Sequence, residues 1–323
     1  MSREDRLGRV VVVTWPLAVV LAWGLPGLQA APRPATPIIG GEQVGQYEWT
    51  NVVAVLSDDP DTINTAHLCS GTLIAPQIVL TAGHCIDPDA DPTKILVFFG
   101  NSIYGDQVAT VERFEIFPDA CVEDCKSDAY DFAFVEIHEK IGGVEILPLL
   151  TDQAEWDETM ATGKPVTFVG FGAIRDDGED EPPLKMDELG YKQVVETKIA
   201  GFSASGREFV AGAMGEDTCS GDSGGPAFVQ LASGKWRQVG VTSRGVRPCG
   251  RGLGYYGVPF FVLEWLRDEA GVDQLPNDCE DYACLDPLPD DKGCGCEAGG
   301  GAGLWIALLG LIRRRRRSSA RSR

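Results

Sequence analysis

The sequence predicts an all-β protein, and three observations carry that prediction. Short runs rich in branched and aromatic residues, at 52–56, 71–74, 77–80, 95–99 and 132–137, are separated by turn-forming residues. Residues before 259 carry no helical period. Thirty-nine glycines and 20 prolines in 323 residues suit many short strands joined by turns, as in a sandwich or a barrel. A hydrophobic content of 44% is enough for a real core.

Taken in order, residues 1–30 read as a secretory signal peptide: a basic start, an apolar run at 10–25 broken by Pro16, then Leu28-Gln29-Ala30. The run is too short and broken for a retained membrane span. Residues 31–37, three of them proline, form a short pro-segment without regular structure. A folded domain is expected over 38–271. Its last stretch, 259–271, has apolar Phe260, Phe261, Leu263, Trp265 and Leu266 and reads as a closing helix stopped by Gly271. Residues 272–298 are a Cys/Pro/Asp-rich linker, and 299–323 hold a glycine-rich apolar segment followed by an arginine cluster.

The formal charge is −20. Residues 1–30 carry net +1 and residues 313–323 net +7, so the chain between them carries net −28. Nucleic acid is therefore a poor partner, whereas cationic peptides would be drawn in at low salt. Ten cysteines beside an export signal point to an oxidising compartment and disulfides. Cys121 and Cys125, four apart in an acidic loop, lack adjacent ligands for a metal and are expected to form a small local disulfide. The segment 100–111 has few acids at calcium-ligand spacing, and no metal or cofactor is expected.

The stretch that organises the chain is Asp217-Thr-Cys-Ser-Gly-Asp-Ser-Gly-Gly-Pro226. Glycines on either side of Ser223 allow backbone N–H groups to converge on one point. A serine there can attack a carbonyl while those N–H groups hold the oxyanion that forms. An isolated Gly-Asp-Ser-Gly would be an ordinary polar turn, but here partners stand upstream. His84, in Leu80-Thr-Ala-Gly-His-Cys85, is a candidate general base, since imidazole is the side chain that exchanges protons near neutral pH. Asp131 directly precedes the apolar run Phe132-Ala-Phe134, where an acid can sit under a histidine out of water.

These strings resemble the trypsin-like (chymotrypsin-fold) serine proteases over roughly residues 38–270. The resemblance implies two six-stranded antiparallel β-barrels with a C-terminal helix, and an active site in the cleft between them. It assigns His84, Asp131 and Ser223 to the catalytic triad and the N–H groups of Gly221 and Ser223 to the oxyanion hole. It implies disulfides Cys69–Cys85 and Cys219–Cys249, the second tying together the walls of a specificity pocket. Asp217 would form that pocket's floor and pair with Arg or Lys of a substrate, with Ser243, Gly245 and Gly254 at the walls. It also implies a zymogen cut before Ile38-Ile-Gly-Gly41, whose freed amine pairs with Asp222 and would fail to do so at high pH.

Several positions depart from the family pattern. Pro37 stands where trypsin-like activators want Arg or Lys, so an activating protease other than the protein itself is expected. Gly83 replaces Ala, Phe171 replaces Trp, and Val210 replaces a cysteine, removing one bridge. Arg244 stands where Trp is usual, with Arg247 close by. These cations would either repel a basic substrate or recruit acidic residues upstream in it. The tail, with Gly-Cys-Gly-Cys296, an apolar run and five consecutive arginines, resembles Myxo-CTERM sorting tails of myxobacterial surface proteins. That resemblance implies membrane contact through the tail and a final place at the cell surface (outer membrane) or outside the cell. The expected function is a serine endopeptidase acting on proteins or peptides, after Arg or Lys. The alternatives are a catalytically silent binding scaffold on the same fold and an active enzyme with non-basic preference.

Overall fold

The computed structural model describes residues 38–58, 66–105, 107–120, 130–176, 184–185 and 187–274. The expected signal peptide, pro-segment, tail, Cys121–Cys125 pair and most of the acidic loop after Arg175 lie outside the described residues.

Among the described residues, twelve of thirteen strands form two barrels. The first closes in the order β2 (Val52–Asp58), β3 (Ala66–Ala75), β4 (Ile78–Thr81), β7 (Ala133–Ile137), β6 (Val108–Ile116), β5 (Leu96–Phe98). The second runs β9 (Gln193–Phe202), β10 (Glu208–Ala211), β13 (Gly254–Gly257), β12 (Trp236–Gly245), β11 (Pro226–Gln230), β8 (Pro165–Gly170), and a β8–β9 pairing closes it. The two-residue β1 (Glu42–Gln43) adds to the outside of β9. All pairings are antiparallel, so the all-β prediction with two six-stranded barrels is borne out.

Side-chain periodicity explains which strands were easy to see. In β2, Val53 and Val55 point into the first barrel's core, while Val52 and Ala54 join Val169, Phe171 and Phe228 in a cluster between the barrels. Successive residues face opposite sides, so a strand covered on both sides reads as a continuous apolar run. β9 is covered on one side: Val195, Thr197 and Ile199 are buried, and Glu196 and Lys198 are exposed. The second core stacks Phe168 and Phe209 on Tyr256, with ring centroids 4.3 and 5.1 Å away.

The closing helix is present as a 3-10 turn (Pro259–Val262) running into α2 (Leu263–Ala270). Gly271 ends it in the left-handed conformation at φ 65°, its N–H returning to Arg267 and Leu266 carbonyls. Leu263, Trp265 and Leu266 pack into the first barrel's core, with Trp265 against Phe117 and Phe134. The chain thus leaves the second barrel and fastens itself to the first. One expectation fails: a short helix, α1 (Gln153–Thr159), precedes residue 259. Seven residues are too few to show a period, but the signal was local. Asp152 accepts from the Glu155 N–H at 2.9 Å, an N-terminal cap, and Trp156 anchors the buried face.

Candidate active site

The site is assembled from the loops between strands, with pieces from both barrels. His84 sits in a 3-10 turn (Gly83–Cys85) directly after β4. Cys85 is bonded to Cys69 on β3, which fixes that turn to the barrel wall. Asp131 lies two residues before β7 and is buried. The two meet twice: the His84 backbone N–H donates to Asp131 Oδ1 at 3.0 Å, and His84 Nδ1 lies 2.8 Å from Oδ2. A carboxylate only accepts, so Nδ1 carries the proton and the neutral ring presents Nε2 as its free lone pair. The glycine at position 83 fits this geometry, since a Cβ there would lie 3.2 Å from both Asp131 Oδ1 and the Phe132 carbonyl.

The Ser243 hydroxyl, on β12 of the other barrel, donates to Asp131 Oδ2 at 2.6 Å. Burial alone would raise Asp131's carboxyl. Hydrogen bonds from His84 and Ser243, and attraction to the imidazolium that His84 forms when it takes up a proton, outweigh it, so the acid is held below the ordinary carboxylate range. Ser243, expected at a pocket wall, is not among the residues lining the cavity beside Ser223; its hydroxyl instead ties β12 to the acid beneath the histidine.

Ser223 occupies the loop between β10 and β11. Its carbonyl accepts from the Ser70 N–H at 2.8 Å, and the Ser70 carbonyl accepts from Thr81 Oγ1 at 2.9 Å. The serine's loop is thereby fastened to the strand that leads into His84. Ser223 and Gly221 line a cavity of about 470 Å³ together with Thr218, Cys219, Gly245 and Cys249. The Cys219–Cys249 bond joins the two segments flanking it. Asp217 and Gly254 do not line the cavity themselves; both are buried, and Gly254 packs against the hydroxyl of Tyr256, which pairs with Thr218 at 3.1 Å.

Asp217 Oδ2 accepts from the Gly250 and Gly252 N–H groups at 3.1 and 3.3 Å, whereas its buried Oδ1 has no hydrogen-bond partner among the described residues. Burial raises this carboxyl above its ordinary range despite those N–H donors. Asp222 is fully buried, with its oxygens accepting from Gly172 N at 2.8 Å and Cys219 N at 2.9 Å. Gly172 must be glycine, because a Cβ would sit 2.4 Å from the carboxyl. Burial, together with the nearby charge of Asp217, pushes Asp222 up to about 7 against those two hydrogen bonds. Ile38 is buried in the second core, and Ile39 pairs with Asp217 as a β-bridge.

Both cations at the cavity mouth are matched by acids. Arg244 forms a two-pronged pair with Glu208, which is itself buried, and lies 4.4 Å above the Tyr255 ring. Arg247 donates to Ser220 Oγ and reaches Asp176 at 3.4 Å. Two participants escaped sequence reasoning. Glu208 carries no local motif, and only its β10–β13 register places it under Arg244. Ser70 bonds to Gly221 across 151 residues of sequence, a pairing no short pattern encodes.

Comparison with known proteins points to one family. The trypsin family model matches residues 38–266. The chain is 29% identical to a tryptase of Mus musculus over 280 residues, covering 80% of this chain and 96% of that protein. It is 28% identical to serine protease 28 of Mus musculus over 227 residues, 65% of this chain and 80% of that one. It is likewise 28% identical to spermosin of Halocynthia roretzi over 264 residues, 76% of this chain and 65% of the other. With the two barrels and a family match across most of the chain, the protein belongs to the trypsin family of serine endopeptidases.

Proposed function

We propose that the protein is an exported endopeptidase that cleaves after Arg or Lys, using Ser223, His84 and Asp131. Ser223 Oγ attacks the scissile carbonyl carbon while His84 Nε2 takes the hydroxyl proton. The carbonyl oxygen becomes an oxyanion facing the N–H groups of Gly221 and Ser223. The C–N bond then breaks, His84 gives its proton to the leaving amine, and an acyl-enzyme remains. Water repeats the sequence and restores Ser223. Asp131 keeps Nδ1 protonated and stabilises the imidazolium that forms in each half.

The observation that carries the specificity is the unpartnered buried oxygen of Asp217 behind the cavity wall. A buried carboxylate oxygen without a donor is costly. An Arg or Lys side chain entering the cavity would supply both donor and charge. Pairing of Arg244 with Glu208 and of Arg247 with Asp176 reduces the charge a basic side chain meets on its way in. Maturation follows the same electrostatic logic: in the uncut chain residue 38 carries a neutral amide, and cleavage before it would free an amine as counter-charge to Asp222. Pro37 assigns that cut to another protease. The tail, by its resemblance to sorting signals, would hold the enzyme at the cell surface. Among the described residues no helix is long and apolar enough to cross a membrane.

Active-site labelling tests the chemistry. Protein cut before Ile38 is expected to react with a fluorophosphonate one to one, at Ser223, and not when Ser223→Ala or His84→Ala is present. Labelling of another residue, or none in folded cut protein, would contradict the assignment.

A further inference from the structure

We propose that Ser70 is a positioning residue for the oxyanion-binding peptide. The inference rests on the reading of Ser223 as nucleophile and of the Gly221 and Ser223 N–H groups as oxyanion donors. Ser70 lies on β3 of the first barrel and is fully buried, yet it holds the second barrel's loop at two points. Its hydroxyl donates to the Gly221 carbonyl at 2.9 Å, and its backbone N–H donates to the Ser223 carbonyl at 2.8 Å.

A hydroxyl has one proton to give. The Phe171 N–H donates into Ser70 Oγ at 2.9 Å, which occupies one lone pair and leaves the proton directed at Gly221. Ser70 is itself held by Thr81 Oγ1 on its carbonyl, and by the disulfide at the adjacent Cys69.

Peptide planes are rigid, so an N–H lies in the plane that precedes its residue, and the plane that follows, joined to it at Cα, limits how far it can turn. For Gly221, Ala173 N holds the preceding plane through the Ser220 carbonyl at 2.7 Å, and the Ser70 hydroxyl holds the following one. For Ser223, Gly225 N holds the preceding plane through the Asp222 carbonyl at 2.9 Å, and Ser70 N holds the following one. Each donor therefore has one plane pinned by Ser70. Gly221, at φ 93° and without a side chain, depends on such a tie most.

Because the donors act on charge that develops only in the transition state, loosening them should lower kcat and spare KM. The test uses cut protein, a peptide anilide substrate and a peptide aldehyde of matching sequence, whose adduct with Ser223 places an oxyanion in the same position. For Ser70→Ala, kcat is expected to fall about 10-fold and the aldehyde's inhibition constant to rise by the same factor, as for loss of one hydrogen bond, with KM within about 2-fold. Ser70→Cys keeps the volume and a weak donor, should fall between the two, and carries the test if the alanine variant does not fold. A merely structural role would lower the melting temperature without moving kcat and aldehyde affinity together. Unchanged kcat and unchanged aldehyde affinity overturn this inference alone. Wild-type protein without Ser223-dependent turnover overturns the peptidase reading and this inference with it.

Discussion

Replacing Asp217 by serine is expected to lower kcat/KM toward Arg and Lys substrates by roughly 10²–10⁴-fold, the range for removing one partner of a buried ion pair. The acid's buried Oδ1 has no hydrogen-bond partner among the described residues, and a substrate cation entering the cavity would supply one. Cleavage after neutral residues should change far less, which separates a pocket effect from damage to the catalytic groups. The same substitution has a second readout. Burial raises the Asp217 carboxyl, so the fold favours its protonated form. Stability from that preference is present below the ordinary carboxylate range and lost as pH rises through the raised value. Asp222 titrates near 7 partly because of Asp217's charge, and it should move down in the variant. Free of ligand at neutral pH, Asp217→Ser is therefore expected to melt higher than the wild type. Equal cleavage after Arg by variant and wild type would remove Asp217 from the specificity pocket.

Asp131→Asn is expected to cost about 10⁴-fold in kcat, a magnitude taken from the family rather than derived from this chain. The physical cause is the tautomer. The carboxylate accepts from Nδ1, the His84 N–H and Ser243 Oγ, and so can only be met by a protonated Nδ1. An amide NH₂ facing Nδ1 turns that nitrogen into the acceptor, and Nε2 then holds the proton it should be receiving. KM should hardly change, since Asp131 is buried and does not line the cavity. Steady-state kinetics on an anilide substrate, beside circular dichroism to show the fold intact, would check this. A loss below about 10-fold would mean that another group orients His84.

How much of this was legible in the sequence depended on the range of the interactions. Most of the first barrel's strands were visible: β2 and β4 hold buried apolar runs, and β7 is apolar up to Val135, whereas β6, interrupted by Glu112, Arg113 and Glu115, was not read as a strand. The second barrel's β9 alternates with charged residues, and β10 is only four residues long, so both hid in a polar, glycine-rich stretch. His84, Asp131 and Ser223 were legible because each sits in a local string whose neighbours serve its geometry: a cysteine after the histidine, an apolar strand after the acid, glycines around the serine. Ser70 and Glu208 were not, because their work is done through partners 151 and 36 residues away. Arg244 illustrates the same limit. The sequence shows a cation at the pocket, and only the fold shows the buried carboxylate that matches it.

The most direct test of the account is cleavage of a peptide library by protein beginning at Ile38, beside the Ser223→Ala variant prepared in the same way. The expected result is cutting after Arg and Lys that vanishes in the variant. Serine-dependent cutting after other residues would contradict the role of Asp217. Folded protein with a free Ile38 amine that shows no serine-dependent cutting at all would contradict the catalytic reading itself.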